Sequence, residues 1–116
     1  MNLTGRQPYQ KGQKPAKVPA LRNDARNRDC TLRLPGVCTH DPAKTVGSHI
    51  SLFGFAGMAG KADDIFILDA CDRCHDVLDH RDKWASCGLN YEVILMAFMA
   101  TLRNRRASGL ITLKGE

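Results

Sequence analysis

The stretch Cys71-Asp72-Arg73-Cys74-His75 decides this chain, because a second pair of cysteines, Cys30 and Cys38, answers it upstream. Two separated thiol pairs can close one tetrahedral zinc site, and zinc tolerates a long gap between ligand pairs provided the chain returns. The same pentapeptide fits two other chemistries. Cys-x-x-Cys-His is the attachment pattern of a c-type haem, and a Cys-x-x-Cys at a helix start can be a redox dithiol. Both leave Cys30 and Cys38 idle, whereas zinc uses both pairs. The gap from Cys30 to Cys38 is looser than the usual knuckle, and His40 is the substitute ligand. The remaining cysteine, Cys87, reads as an ordinary buried or half-buried thiol.

With 116 residues, 43% of them hydrophobic, the chain suits one domain with flanking arms and a small core that a structural metal would help. No apolar run of about 18 residues offers itself to a bilayer, and the N-terminus is polar without the apolar stretch of a secretory signal. The expected compartment is the cytoplasm, where thiols stay reduced and read as metal ligands rather than disulfides. Residues 1–28 carry seven bases against one acid, Asp24, and the remainder carries ten bases and eleven acids. The excess positive charge therefore lies in the N-terminal arm. Residues 1–19, rich in Gly, Gln, Lys and Pro, are expected to be a disordered basic arm with a polyanion as partner, and residues 20–116 the domain.

Residues 20–29 have the composition of a short helix carrying Arg22 and Arg26. Residues 30–38 alternate polar and apolar and turn at Pro35-Gly36, which predicts a short strand and a loop presenting both thiols. A strand over 45–53 carries His49, a glycine-rich loop follows over 54–60, and residues 64–68 form a third extended stretch. From Cys74 the pattern turns helical, and His75 and Asp79, spaced i, i+4, share a face able to bind one cation. A longer amphipathic helix is expected over about 90–106, capped by Asn90, with Tyr91, Leu95, Phe98 and Leu102 along one face. Its apolar side, including Ile94, Met96 and Met99, is expected to be core or a dimer contact. The helix ends in Arg103, Arg105 and Arg106, which suits its dipole and a phosphate backbone alike.

A four-cysteine zinc site is saturated and therefore structural, so chemistry has to come from His49, His75, Asp79, His80 and the pair Asp63-Asp64. Hydrolysis of a phosphodiester needs a base for the water and a cation for charge on the phosphate and the leaving oxygen. A neutral histidine has a suitable pKa for the base. A histidine on a strand is more often structural, but His49 stands between the two cysteine pairs.

Gly47-Ser48-His49-Ile50, followed by a loop and Cys71-x-x-Cys74-His75, resembles the HNH nucleases. The closer resemblance is to the YbcO-like family of small prophage-encoded nuclease candidates. It runs through Arg28-Asp29-Cys30-Thr31-Leu32-Arg33-Leu34-Pro35-Gly36-Val37-Cys38, Ser48-His49-Ile50, Asp64-Ile65 and Cys71-x-x-Cys74-His75-Asp76-x-x-Asp79, over roughly residues 25–83. The resemblance implies an α+β fold, a small ββα-metal domain with structural zinc on Cys30, Cys38, Cys71 and Cys74 and a C-terminal amphipathic helix. It implies His49 as general base and His75 with Asp79 as ligands of a catalytic Mg²⁺ or Mn²⁺, His80 being the weaker choice. The chain departs from the HNH pattern at Ser48, where many members have an acid or histidine, and at Phe66, where many have asparagine. Asp64 is the catalytic candidate to supply the missing orienting or metal-binding oxygen. The implied function is a phage or prophage endonuclease acting in a bacterial host cell on DNA, single-stranded or branched, in recombination or DNA processing. Such cleavage leaves 5′-phosphate and 3′-hydroxyl ends. Arg22, Arg26, Arg28, Arg103, Arg105, Arg106 and the N-terminal lysines would hold the DNA backbone without reading bases. A homodimer through the last helix would pair the cuts, recombination proteins are candidate partners, and no membrane is involved. The competing reading is a noncatalytic zinc module that binds nucleic acid or a recombination protein, with His49 and His75 structural.

Overall fold

A two-stranded antiparallel sheet organises the computed structural model, which describes residues 15–50 and 63–116. Strand β1, Thr45–His49, pairs with β2, Ile67–Cys71, in a register that sets Thr45 against Cys71 and His49 against Ile67. His49 and Cys71 therefore stand at opposite ends of the ladder, about 13 Å apart along the strands. The strand limits differ from those expected: β1 is described over Thr45–His49, and β2 is displaced toward Cys71. The Ile50 N–H carries the pairing on by donating to Phe66 O at 2.8 Å, and the rest of the expected strand lies outside the described residues. The third stretch, expected over 64–68, begins instead at Ile67. Asp63 explains the delay: its side chain takes the Ile65 N–H at 3.1 Å and its carbonyl the Phe66 N–H at 3.0 Å, so residues 63–66 form a turn.

The helices are short except for the last. Helix α1, Pro19–Asn23, has proline in its first turn and ends before the expected limit, because Asn27 takes a left-handed backbone (φ 64°) and the chain goes on in single turns. α1 lies directly on β1: a Cβ on Gly47 would stand 3.0 Å from the Arg22 backbone, so a side chain here would push α1 back by a few tenths of an ångström. Helix α2, Asp72–Leu78, leaves β2 without a loop, capped by Cys71 Sγ, which accepts the Cys74 N–H at 3.4 Å. It packs on both strands. A 3-10 turn over Arg81–Lys83 leads into α3, Trp84–Cys87, which Gly88 ends at φ 77°. Helix α4, Tyr91–Ala107, starts as predicted, with the Asn90 side chain accepting the Val93 N–H at 2.9 Å. Among the described residues no single helix is long and apolar enough to cross a membrane.

Leu68 and Ala70 of β2, Val77 and Leu78 of α2, Leu89, and Ile94 and Ala97 of α4 form the core, closed by Leu32 and Leu34 from the first cysteine loop. The buried face of α4 differs from the expected stripe. Ile94, Ala97, Thr101 and Arg105 point inward, whereas Leu95, Met96 and Met99 are 57%, 65% and 58% exposed. The phase is set by a polar cluster. Asp69, in the middle of β2 and wholly buried, receives the Arg105 guanidinium on both oxygens, at 2.5 and 3.1 Å, and the Asn104 amide at 2.8 Å. Its backbone is held as well, by Thr101 Oγ1 at 3.0 Å and by the Thr31 N–H at 2.7 Å. Arg105 also donates to Leu21 O at 2.7 Å and to Asp24 at 3.1 Å, so one buried cation ties α1, β2 and α4 together.

Candidate functional site

Cys30, Cys38, Cys71 and Cys74 converge, with their Sγ atoms all within 4.8 Å of one another. A tetrahedron of thiolates at the usual zinc–sulfur distance has an edge of about 3.8 Å, and Cys71 Sγ lies 3.9 Å from Cys38 Sγ. Residues 30–38 reach this arrangement by turns rather than by the expected strand. Arg33 donates its backbone N–H to Cys30 Sγ and His40 to Cys38 Sγ, both at 3.4 Å, with Arg33 and His40 in the left-handed region at φ 47° and 54°. The thiol acceptors hold the backbone in a conformation these side chains do not favour. His40, the alternative ligand, thus contributes its N–H, and its ring stays exposed. A cavity of about 120 Å³ lined by Asp29, Arg33, His40 and Pro42 opens onto Cys30 and Cys38, a route for an ion to the thiols. Cys87 lies outside this group, half-buried against the core.

The thiols share their protons unevenly. A hydrogen bond from the Cys74 thiol holds Cys30 down at about 4 and pushes Cys74 up. Burial raises Cys71, but hydrogen bonds from Thr39 and from the Cys74 backbone outweigh it, so its pKa falls, while burial raises Cys38. Proton loss is thus eased at Cys30 and Cys71, and the thiolate it leaves is the species a soft cation binds.

His49 and Asp64 form a second unit. His49 Nε2 lies 2.8 Å from Asp64 Oδ1, and Asp64 Oδ2 accepts the Val18 N–H at 2.7 Å. Arg22 Nε stands 3.4 Å from Oδ1, its side chain 45% exposed, so this expected DNA contact is also the cation of the dyad. Burial raises the Asp64 pKa, but His49, the Val18 N–H and Arg22 outweigh it, and the carboxyl titrates below its ordinary range. An ionised carboxylate only accepts, so Nε2 carries a proton, and in the neutral form of the imidazole Nδ1 keeps a lone pair. His49 itself is 29% exposed, reachable by a ligand.

His75 and Asp79 form a third unit on α2, Nε2 to Oδ2 at 3.1 Å, with both side chains exposed by a third or more. The i, i+4 spacing brings an imidazole nitrogen and a carboxylate oxygen together as expected. His80 is occupied otherwise, its Nδ1 lying 2.6 Å from Asp76 O at the end of α2. Ser48, before His49, is fully buried, with its hydroxyl 3.4 Å from Val46 O.

The expected backbone-holding arginines divide. Arg26, Arg103 and Arg106 are exposed, Arg106 pairing with Glu116. Arg28 is half-buried and bonds Asp24, Asn104 O and Ser108. Arg105 is the correction: at 1% exposure and bonded to Asp69, its guanidinium is not offered to a phosphate. Asp69, Asp24 and Thr101 were not singled out from the sequence, although an aspartate inside the apolar run Ile65 to Ala70 is a signal that a buried cation awaits it.

The family model described as "Putative nuclease YbcO" matches residues 19–110. The chain is similar to the protein named "Putative nuclease YbcO" of Escherichia coli (strain K12), at 38% identity over 81 residues, 70% of this chain and 84% of the relative. A protein of the same description from Enterobacteria phage 82 matches over the same shares at the same identity. Among solved structures, one described as a bacteriophage protein from Escherichia coli K-12 MG1655 superposes with a TM-score of 0.61 at 32% identity, covering 78% of this chain and all of that one.

Proposed function

The chain belongs to the YbcO family of nuclease candidates, and from that membership we propose that it is a metal-dependent HNH-type endonuclease that hydrolyses DNA phosphodiester bonds. The observation that carries the reading is the His49–Asp64 dyad: a buried, ionised carboxylate on Nε2 leaves Nδ1 of a partly exposed imidazole as a base. Asp64 acts as the orienting residue in this reading, since both of its oxygens are engaged by protein donors. His49 takes the proton from the attacking water.

His75 Nε2 and Asp79 Oδ2 are the donors that would hold Mg²⁺ or Mn²⁺, with water and phosphate completing the shell. When bound, such an ion supplies Lewis acidity that takes up charge on the phosphate and on the departing 3′ oxygen. The thiols of Cys30, Cys38, Cys71 and Cys74 would hold zinc, which closes the first loop onto β2 and α2 and is saturated by them. Arg22, Arg26 and Arg103, exposed on the surface, and the lysines of the N-terminal arm would hold the phosphate backbone.

One observation favours a second reading, a noncatalytic zinc module that binds DNA. Ser48 stands where many HNH enzymes place a metal-binding side chain, and its burial leaves the ion two protein donors among the described residues. The deciding experiment incubates the protein with supercoiled, forked and single-stranded DNA, with and without Mg²⁺ or Mn²⁺, beside His49→Ala. Metal-dependent cutting by the wild type alone is expected. Equal binding by both proteins with cutting by neither removes the enzyme reading.

A further inference from the structure

Arg81 is exposed, and its guanidinium makes no hydrogen bond or ion pair among the described residues. It is nevertheless held in place. Its Cζ lies 5.1 Å from the centroid of the Trp84 ring and 5.7 Å from that of Tyr91, and the two rings meet edge to face at 5.5 Å and 80°. Trp84 is fixed by its Nε1–H, which donates to Leu78 O at 3.3 Å, and by packing against the core, while Tyr91 opens α4. The rings thus fix the face of the guanidinium and leave its N–H edge without a partner. Lys83, in the same turn, differs in being bound to Asp76 at 2.9 Å.

A fixed guanidinium with free edge donors has the fork geometry that grips a phosphate bidentately. Aromatic rings beside it are the surface on which an unpaired base stacks, and stacking is closed to a base inside a duplex. The position also counts. Arg81 follows Asp79 by two residues, and its turn packs on α2, so a nucleotide held here would flank one held at His75 and Asp79.

We propose that Arg81, Trp84 and Tyr91 form a site for one unpaired nucleotide of a single-stranded DNA segment, its phosphate on the Arg81 edge and its base against the rings. The site gives the enzyme its substrate class, DNA with a single-stranded portion, and it rests on the nuclease reading only in taking DNA as the ligand.

Trp84 is the sole tryptophan of the chain, so its emission reports on this site. The test measures binding, with no Mg²⁺ or Mn²⁺ added, to a labelled oligothymidylate and to a strand of equal length made of abasic sites. Stacking should make the oligothymidylate bind about tenfold tighter or more, and it alone should quench Trp84. Arg81→Ala should weaken the oligothymidylate about tenfold, and Tyr91→Leu should erase the preference for bases while leaving abasic binding unchanged. Equal affinities for the two strands, binding of neither, or an unchanged Trp84 emission at saturation overturns the proposal, and none of these needs a variant. Cleavage is read separately. Wild-type protein that stacks bases but never cuts with Mg²⁺ or Mn²⁺ removes the nuclease reading and keeps this site, and protein that cuts without the preference does the reverse.

Discussion

Asp64 accepts from His49 through Oδ1 and from the Val18 N–H through Oδ2, so a single carboxylate fixes both the imidazole and the entry of the N-terminal segment. Asp64→Asn keeps the shape but can donate to Nε2, which forces the imidazole proton onto Nδ1 and removes the base atom. Cleavage should fall about 10²–10⁴-fold with DNA affinity held, as measured in single turnover beside His49→Ala. The same residue leaves a mark on stability. Its folded pKa is depressed, so its contribution is complete above the ordinary value of 3.8 and is lost as pH falls through the lower folded value. Acid unfolding of Asp64→Asn should therefore be shallower below pH 3.8 than that of the wild type. Arg105 belongs to the fold instead. Arg105→Met leaves Asp69 buried without its cation and should cost about 3–5 kcal/mol by urea unfolding, much of it recovered in the Arg105→Met, Asp69→Leu double variant.

Among the elements, the first cysteine loop and α4 show what the sequence carries and what it does not. The four thiols were legible as one group because spacing survives folding, and so were Asn90 as a cap and His75 with Asp79 as an i, i+4 pair. The path of residues 30–38 was not. Its alternating pattern reads as a strand, whereas the N–H to sulfur bonds from Arg33 and His40 select turns with positive φ, a preference no propensity records. The burial of Ile94 fits the expected apolar side of α4, but its inward polar positions were not legible for a related reason: counting apolar residues favours Leu95 and Leu102, whereas the Asp69–Arg105 pair turns Thr101 and Arg105 inward. The loop makes its own prediction. Purified protein should carry close to one zinc per chain by elemental analysis, Cys38→Ser should lose the metal and much of its thermal stability, and Cys87→Ser should keep both. Folded, active protein with less than about half a zinc per chain would remove the tetrathiolate site.

At the scale of the whole molecule, charge and attachment act together. The chain is basic, with a net charge of +5, and the excess lies in its first 28 residues. Asp64 anchors the end of that segment twice, its N–H donating to Ala16 O at 2.9 Å and its carboxylate accepting the Val18 N–H at 2.7 Å. Ala16 and Val18 are therefore held against the partner of His49, which the proposed function takes as the base. A sequence reading of net charge gives an affinity for polyanions, and a truncation tests whether these first bases contribute to it. Deleting residues 1–14 removes three bases without touching the dyad, the thiols or the core. The slope of log affinity against log salt on duplex DNA should then shrink by about 2–3, with cleavage of fully bound DNA unchanged. A truncated protein that keeps the full slope would show that the arm takes no part in binding, and one that binds normally but cuts slowly would place the arm in the chemistry of His49 itself.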